Sequence, residues 1–300
     1  MDNVATGISN SASFALASKV KDYFQLIKFT LSFTVVFSCV VCYLLAPDVT
    51  FDFFSVLLLF IAGMLITGSA NAINQTVERD TDALMKRTAS RPVASGRMRV
   101  NEAWAFAIIT GIAGVFLMWY RFNLQSAMLS LFSLLLYAFI YTPLKKINSI
   151  SVLVGAFPGA LPCLIGWVAG TGEFSAGGWI LFGIQFLWQF PHFWAIAWVA
   201  HKDYEKAGFK LLPGKGGPTK FTALQAVIYS MLMIPVGMLP FYFHISGSIS
   251  LWILMGCNFS MVYLSVMLFI KMNVKAARKV MFGSYFYFMI VFLALLFDKV

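Results

Sequence analysis

The sequence predicts an all-α, polytopic membrane protein with nine transmembrane helices, and three observations carry that prediction. Hydrophobic residues make up 60% of the 300-residue chain and charged residues only 11%. Mean hydropathy is +0.81. Apolar runs of about 18 residues or more recur from end to end, each long enough to cross the hydrocarbon core as a helix. The runs do not alternate polar with apolar, which selects helices over a closed barrel, the other structure that satisfies its own backbone in lipid.

In order, the predicted spans are 26–46, 53–73, 103–121, 125–143, 150–170, 177–199, 221–243, 249–270 and 280–297. Residues 1–24 precede them as a polar, Ser- and Ala-rich segment with Lys19 and Lys21, and show no signal of the cleaved type. Residues 25–300 then read as a single transmembrane domain. Trp104, Trp119, Trp167, Trp179, Trp198 and Trp252 fall near span ends, where amphipathic rings anchor at the interface. Cys39, Cys42, Cys163 and Cys257 all lie in apolar runs. They read as small buried side chains, since Cys39 and Cys42 lack the soluble context of a redox pair. Gly155, Gly159, Pro158 and Pro162 in the fifth span, with Pro191, Pro235 and Pro240 later, predict close packing and kinks. The alternative is that Pro158 and Pro191 bend helices around a cavity.

The net charge of +10 would suggest nucleic acid in a soluble protein. Here it resides in alternate loops. The N-terminus, the 74–101 loop, Lys145–Lys146, the 201–220 loop and the 271–279 loop are all basic. The loops between them carry Asp48, Asp52, Arg121, Glu173 and His244. This asymmetry places the N-terminus in the cytoplasm and the C-terminus outside. No transit peptide stands out, which favours a bacterial inner membrane. The two longest basic loops, 74–101 and 201–220, are separated by four spans, which hints at a duplicated four-helix unit with a ninth helix added.

The stretch 71–97, NAINQTVERDTDALMKRTASRPVASGR, concentrates charge in a chain nearly starved of acid. If the preceding helix continues through it, Asn74, Glu78 and Asp82 stand at i, i+4 and i+8 on one stripe, while Asp80 points elsewhere. Three oxygen-bearing side chains at a helix end suit Mg²⁺, which prefers oxygen ligands and bridges to substrate phosphates. Arg87 and Arg91 follow, and guanidinium pairs bidentately with phosphate. A solvated loop of mixed charge would account for the same spacing. A second cluster leaves the sixth span on the same side. Gln185, Gln189 and His192 lie within that span, and His201, Lys202, Asp203, Tyr204, Glu205 and Lys206 follow it. Polar groups at membrane depth face the protein interior, so His192 is either a metal ligand or a hydrogen-bonded core histidine. Two charged clusters above oily helices suit an amphiphilic diphosphate.

The pattern carried by Asn74, Glu78, Arg79, Asp80, Asp82, Met85, Arg87, Thr88, Arg91 and Pro92 resembles the first signature of the UbiA-type membrane prenyltransferases. YTPLKK at 141–146, SVLVGAFPGALPCLIGW at 151–167, WQFPHFWAIAW from Trp188 and HKDY ending at Tyr204 resemble the heme-farnesylating branch of that family. The likeness runs from about residue 20 to residue 297, with one departure, Lys28-Phe29 in place of Lys-Pro.

The resemblance implies nine spans around a central cavity that opens to lipid and is capped by the two basic loops. It implies transfer of the farnesyl group of farnesyl diphosphate to a vinyl group of heme B, with addition of water, giving heme O and diphosphate. Heme B is then a substrate and Mg²⁺ the cofactor. Asn74, Glu78 and Asp82 would hold Mg²⁺, with Asp203 serving a second ion or its water shell. Arg87, Arg91, Lys146 and Lys202 would contact diphosphate oxygens. Tyr141 and Tyr204 would turn their π faces to the allylic cation. Gln189 and His192 would lie on the heme side, His192 as axial ligand or propionate contact. Membrane lipid, heme A synthase and terminal oxidase assembly factors are the partners that follow; nucleic acid is not. Two other readings stay open: a prenyltransferase of this fold acting on a quinone or aromatic acceptor, and a transporter, which would also explain interior glutamines and broken helices.

Overall fold

The computed structural model describes residues 18–214 and 216–300. Among these residues the chain is helical, with one isolated antiparallel bridge between Ser246 and Lys299. The helices are α1 (Ser18–Leu26), α2 (Phe29–Leu45), α3 (Phe53–Val77), α4 (Arg79–Ala83), α5 (Val100–Arg121) and α6 (Leu124–Leu144). They continue as α7 (Ser151–Thr171), α8 (Ala176–Val199), α9 (His201–Lys206), α10 (Lys220–Tyr242), α11 (Ser248–Lys271) and α12 (Val274–Phe297). Eight are long and apolar enough to cross a membrane, and the pair α1 and α2, bent by 51°, completes nine spans.

That bend is the main departure from the predicted boundaries. The first span was expected to begin at residue 26, after a polar tail. Residues 18–24 of that tail are instead helical, and residues 1–17 lie outside the described residues. The helix breaks at Lys28, whose φ of 49° is left-handed. The break takes the carbonyls of Gln25, Leu26 and Ile27 out of the i+4 ladder, leaving Lys28 N to donate to the first at 3.1 Å and the Ser32 hydroxyl to the third at 2.7 Å. Gln75 Nε2 donates to the first two at 2.8 Å, and Asn71 Nδ2 donates to the third at 3.1 Å. Two amides of α3 therefore hold the bend, because a carbonyl orphaned in an apolar setting is costly.

Helices pack in chain order within each half, α2–α3–α5–α6 and then α7–α8–α10–α11. The two halves meet where α2 lies along α7, and α12 closes the bundle against α11, α8 and α2. In α7 and α8, 78% and 72% of the most apolar window is buried, against at most 39% in the other single-helix spans. These two are the inner helices. The others expose Ile109, Ile112, Phe116, Trp252 and Phe286, the apolar surface that a bundle turns to lipid. The α2–α7 crossing is tight at Gly166, where a Cβ would run into the backbone oxygen of Cys39. Cys39, Cys42 and Cys163 are buried and Cys257 partly so, all as free thiols.

Pro158 and Pro162 deprive α7 of two N–H groups, which frees the carbonyls of Val154 and Pro158, and the Ser133 hydroxyl of α6 donates to the latter at 3.4 Å. Amides of α8 bond other carbonyls of the same helix. Gln185 Nε2 donates to the carbonyl of Gly159 at 2.8 Å, and Gln189 Nε2 donates to that of Ala156 at 2.9 Å. At the far end the C-terminal residues act as a staple. Lys299 Nζ donates to the carbonyls of Leu44, Ala46 and Val49, capping the C-terminus of α2. Asp298 accepts from the backbone N–H of Ser250 at 2.6 Å, in the first turn of α11.

Candidate active site

The stripe predicted from spacing forms, although α3 stops at Val77. Glu78 N donates to Asn74 O at 3.0 Å and Asp82 N donates to Glu78 O at 2.7 Å, so the i, i+4 register survives the break into α4. Asn74, Glu78 and Asp82 are 1%, 4% and 0% exposed, while Asp80 is exposed and pairs only with Arg79.

Each member of the stripe meets a basic side chain. Lys28 Nζ donates to Asn74 Oδ1 at 2.7 Å. Lys145 Nζ stands 2.5 Å from Glu78 Oε1, an ion pair without the alignment of a good hydrogen bond. Arg91 donates to Asp82 Oδ2 at 2.6 Å. Asn74 Nδ2 joins the set internally, donating to Glu78 Oε2 at 2.8 Å and Thr142 Oγ1 at 3.3 Å. Arg91 and Lys145 stand against the two carboxylates, and Lys28 is a third basic group beside them. Asp82 Oδ1 is buried and has no hydrogen-bond partner. A carboxylate oxygen left bare in the interior is costly, which makes Asp82 Oδ1 a candidate ligand atom.

Local structure explains how the cations arrive. The Thr88 hydroxyl donates to the Asp82 carbonyl at 2.9 Å and folds the loop back, which returns Arg91 to the Asp82 carboxylate. α6 widens into a π turn over Leu136–Tyr141, ahead of Pro143, and this brings Tyr141, Thr142 and Lys145 to the end of α3. Burial pulls the Lys145 ammonium below its ordinary pKa, with Glu78 working in the opposite direction.

The two long loops meet over the cluster. Arg87 donates to the Tyr204 hydroxyl at 3.4 Å and lies 5.9 Å from its ring centre. Lys145 lies 5.0 Å from the Tyr141 ring and 5.2 Å from the Phe209 ring, and Lys210 N donates to Lys145 O at 2.8 Å. Burial raises the Tyr204 phenol above its ordinary pKa, opposed by Arg87 and Arg91. Beside Tyr204 a cavity of about 660 Å³ opens between the 147–149 turn and the 208–217 loop, lined also by His201, Phe209 and Leu211.

Among the described residues no hydrogen bond or ion pair joins five of the expected site residues to the stripe. Lys146 is exposed, and its neighbour Lys145 takes the buried position because it lies one helical turn beyond Tyr141. Lys202 is exposed and forms no ion pair among the described residues. Asp203, expected to serve a second ion or its water shell, is half-buried, and among the described residues no three of His, Cys, Asp and Glu gather into a metal-binding group. Gln189 commits its amide nitrogen to Ala156 O and Gln185 O, as a clamp on α7. His192 is 7% exposed, and its Nδ1 lies 2.7 Å from Ser284 Oγ.

Comparison with known proteins now decides the family. The profile described as the UbiA prenyltransferase family matches residues 35–294. The chain belongs to the UbiA prenyltransferase family. It is 46% identical to the protoheme IX farnesyltransferase of Cytophaga hutchinsonii over 95% of this chain and 100% of that one. It is 42% identical to the protein of the same name from Christiangramia forsetii, over 94% of this chain and 95% of that one. Among solved structures, a digeranylgeranylglyceryl phosphate synthase matches with a TM-score of 0.78 at 24% identity, covering 94% of this chain and 98% of that one. A UbiA homologue from Archaeoglobus fulgidus bound to GPP and Mg²⁺ matches with a TM-score of 0.67 at 16% identity, covering 91% and 99%. At these identities the structural likeness is one of fold.

Within this UbiA-family site, sequence reasoning missed Lys28, Lys145 and Thr142. Lys28 carried a usable signal, since a lone cation inside a predicted span is a functional candidate. Lys145 carried another in its i+4 spacing from Tyr141.

Proposed function

We propose that this chain is a bacterial inner-membrane protoheme IX farnesyltransferase that converts heme B to heme O. The observation that carries the reading is the near full-length identity of 46% and 42% to two proteins of that name. The buried stripe of Asn74, Glu78 and Asp82 supports it, with one carboxylate oxygen bare and three basic groups at hand.

The donor set fits Mg²⁺: two carboxylates and an amide oxygen, all hard ligands, with Asp82 Oδ1 unused. Asn74, Glu78 and Asp82 would hold it, and it would supply positive charge against the departing diphosphate. In the reaction the C1–O bond of farnesyl diphosphate breaks and its electron pair leaves on diphosphate. The π pair of a heme vinyl group then forms the new C–C bond at C1. The cation left beside the porphyrin takes up water and releases a proton. Arg91, Lys145 and Lys28 stand where they can shift from the stripe to diphosphate oxygens, with Arg87 behind them. Once moved there they stabilise the charge that develops on the leaving diphosphate. Tyr141 and Tyr204 offer π faces at the same mouth, and the loops they belong to exclude water from the carbocation. The loop charges orient the site toward the cytoplasm and the C-terminus toward the periplasm.

The test is an incubation of membranes carrying the protein with heme B, farnesyl diphosphate and Mg²⁺, with extracted hemes read by mass. Heme O must accumulate, and must fail to do so when chelator replaces Mg²⁺. Prenylation of an aromatic acid or quinone with heme B untouched would reject the heme reading and keep the family.

A further inference from the structure

Ser284 of α12 has its side chain and its carbonyl both bonded to α8. Its Oγ lies 2.7 Å from His192 Nδ1 and 2.6 Å from the carbonyl oxygen of Met281, and its own carbonyl accepts from Trp188 Nε1 at 2.8 Å. The Trp188 and His192 rings, one turn apart, stack with centres 4.7 Å apart and planes 17° apart. Tyr285 stands edge-on to His192 at 4.9 Å. Ser284 is fully buried.

A serine hydroxyl has one proton. Two oxygens 2.6 Å apart need a proton between them, and the Met281 carbonyl has none to give. The Ser284 proton therefore goes to Met281, and Oγ meets His192 only as an acceptor. His192 must then carry its proton on Nδ1, which leaves the Nε2 lone pair in the ring plane. Among the described residues nothing donates to Nε2. A propionate contact would need a second proton there, burying an imidazolium among Trp188, Phe193 and Tyr285 with the propionate as its one counter-ion, and such a pair is costly to desolvate. Iron asks for the opposite: a neutral imidazole whose other nitrogen is tied to an acceptor.

We propose that His192 Nε2 is the axial ligand to the iron of the heme substrate and that Ser284 is the positioning residue that fixes its tautomer and ring plane. The proposal rests on the reading of heme as acceptor and adds the atom that holds it. A flat stack of Trp188 and His192 also sets the angle at which a macrocycle is presented to the farnesyl donor.

The experiment is a titration of the purified full-length protein in detergent with heme B, read by its absorption spectrum in both oxidation states, with farnesyl diphosphate binding as the control for fold. Wild type is expected to give an imidazole-ligated spectrum. His192→Ala should lose that signature and regain it on addition of free imidazole. Ser284→Ala should weaken heme affinity on the order of tenfold, as loss of an outer-shell partner does. Ser284→Thr, which keeps the hydroxyl, should restore it. An imidazole-type spectrum that persists in His192→Ala, or Ser284→Ala with wild-type affinity, would overturn the assignment while leaving the heme reading intact. Wild type that binds no heme at all would overturn both.

Discussion

Arg91 grips Asp82 by one oxygen only: its guanidinium lies 2.6 Å from Oδ2, while Oδ1 is buried and has no partner. An ion pair built for stability would use both oxygens, since the guanidinium fork matches a carboxylate bidentately. The half-used carboxylate suits the metal-binding role proposed for Asp82, with Arg91 holding it in position.

Asp82→Asn is expected to lower turnover by about 100-fold or more, the scale seen when one preorganised electrostatic group is removed. The variant keeps the shape of the side chain and should insert normally into membranes. Turnover measured against Mg²⁺ concentration checks this, and an unchanged rate at limiting Mg²⁺ would show that the stripe holds no metal.

Lys145 and Lys146 are adjacent, and the structure separates them. Lys145→Ala removes a buried partner of Glu78, a class of loss that costs about 3–5 kcal/mol of local interaction. It should raise KM for farnesyl diphosphate and lower kcat. Lys146→Ala removes an exposed charge and should stay within about twofold of wild type. Steady-state kinetics on the two variants decides, and the reverse order would remove Lys145 from the site.

Gln189→Ala separates a clamp on α7 from a contact with substrate. Loss of its bonds to Ala156 and Gln185 should cost about 1–3 kcal/mol of stability, read as faster thermal inactivation in detergent. Heme affinity should not change. A selective fall in heme affinity would put Gln189 on the substrate side.

Gly166→Ala puts a methyl group against the backbone of α2, where no side chain can move aside. Overpacking of this kind costs about 1–3 kcal/mol, and the variant should inactivate at lower temperature. Gly256→Ala is the control, since a Cβ there meets nothing within 4 Å. Equal thermal stability of the two variants would contradict the tight α2–α7 crossing.

The bundle was legible because hydropathy reports length and continuity, which is all that spanning requires. The start of the first span was not, since residues 18–24 are too polar to register as membrane and the break at Lys28 leaves no mark on periodicity. The Asn74, Glu78 and Asp82 stripe could be read because its spacing is that of the helix itself. The bonds of Gln189 were not legible because its partners are main-chain carbonyls, which no residue pattern displays. The tie between His192 and Ser284 joins residues 92 apart in the chain, and only the docking of α12 on α8 reveals it.

Lys299 satisfies three carbonyls at the end of α2, on the side of the bundle opposite Asn74. Lys299 is thus a working part of a helix some 250 residues earlier in the chain. Replacing it by methionine, which keeps the length of the side chain and removes its donors, should fray that end of α2 and loosen the tie between the first and last spans.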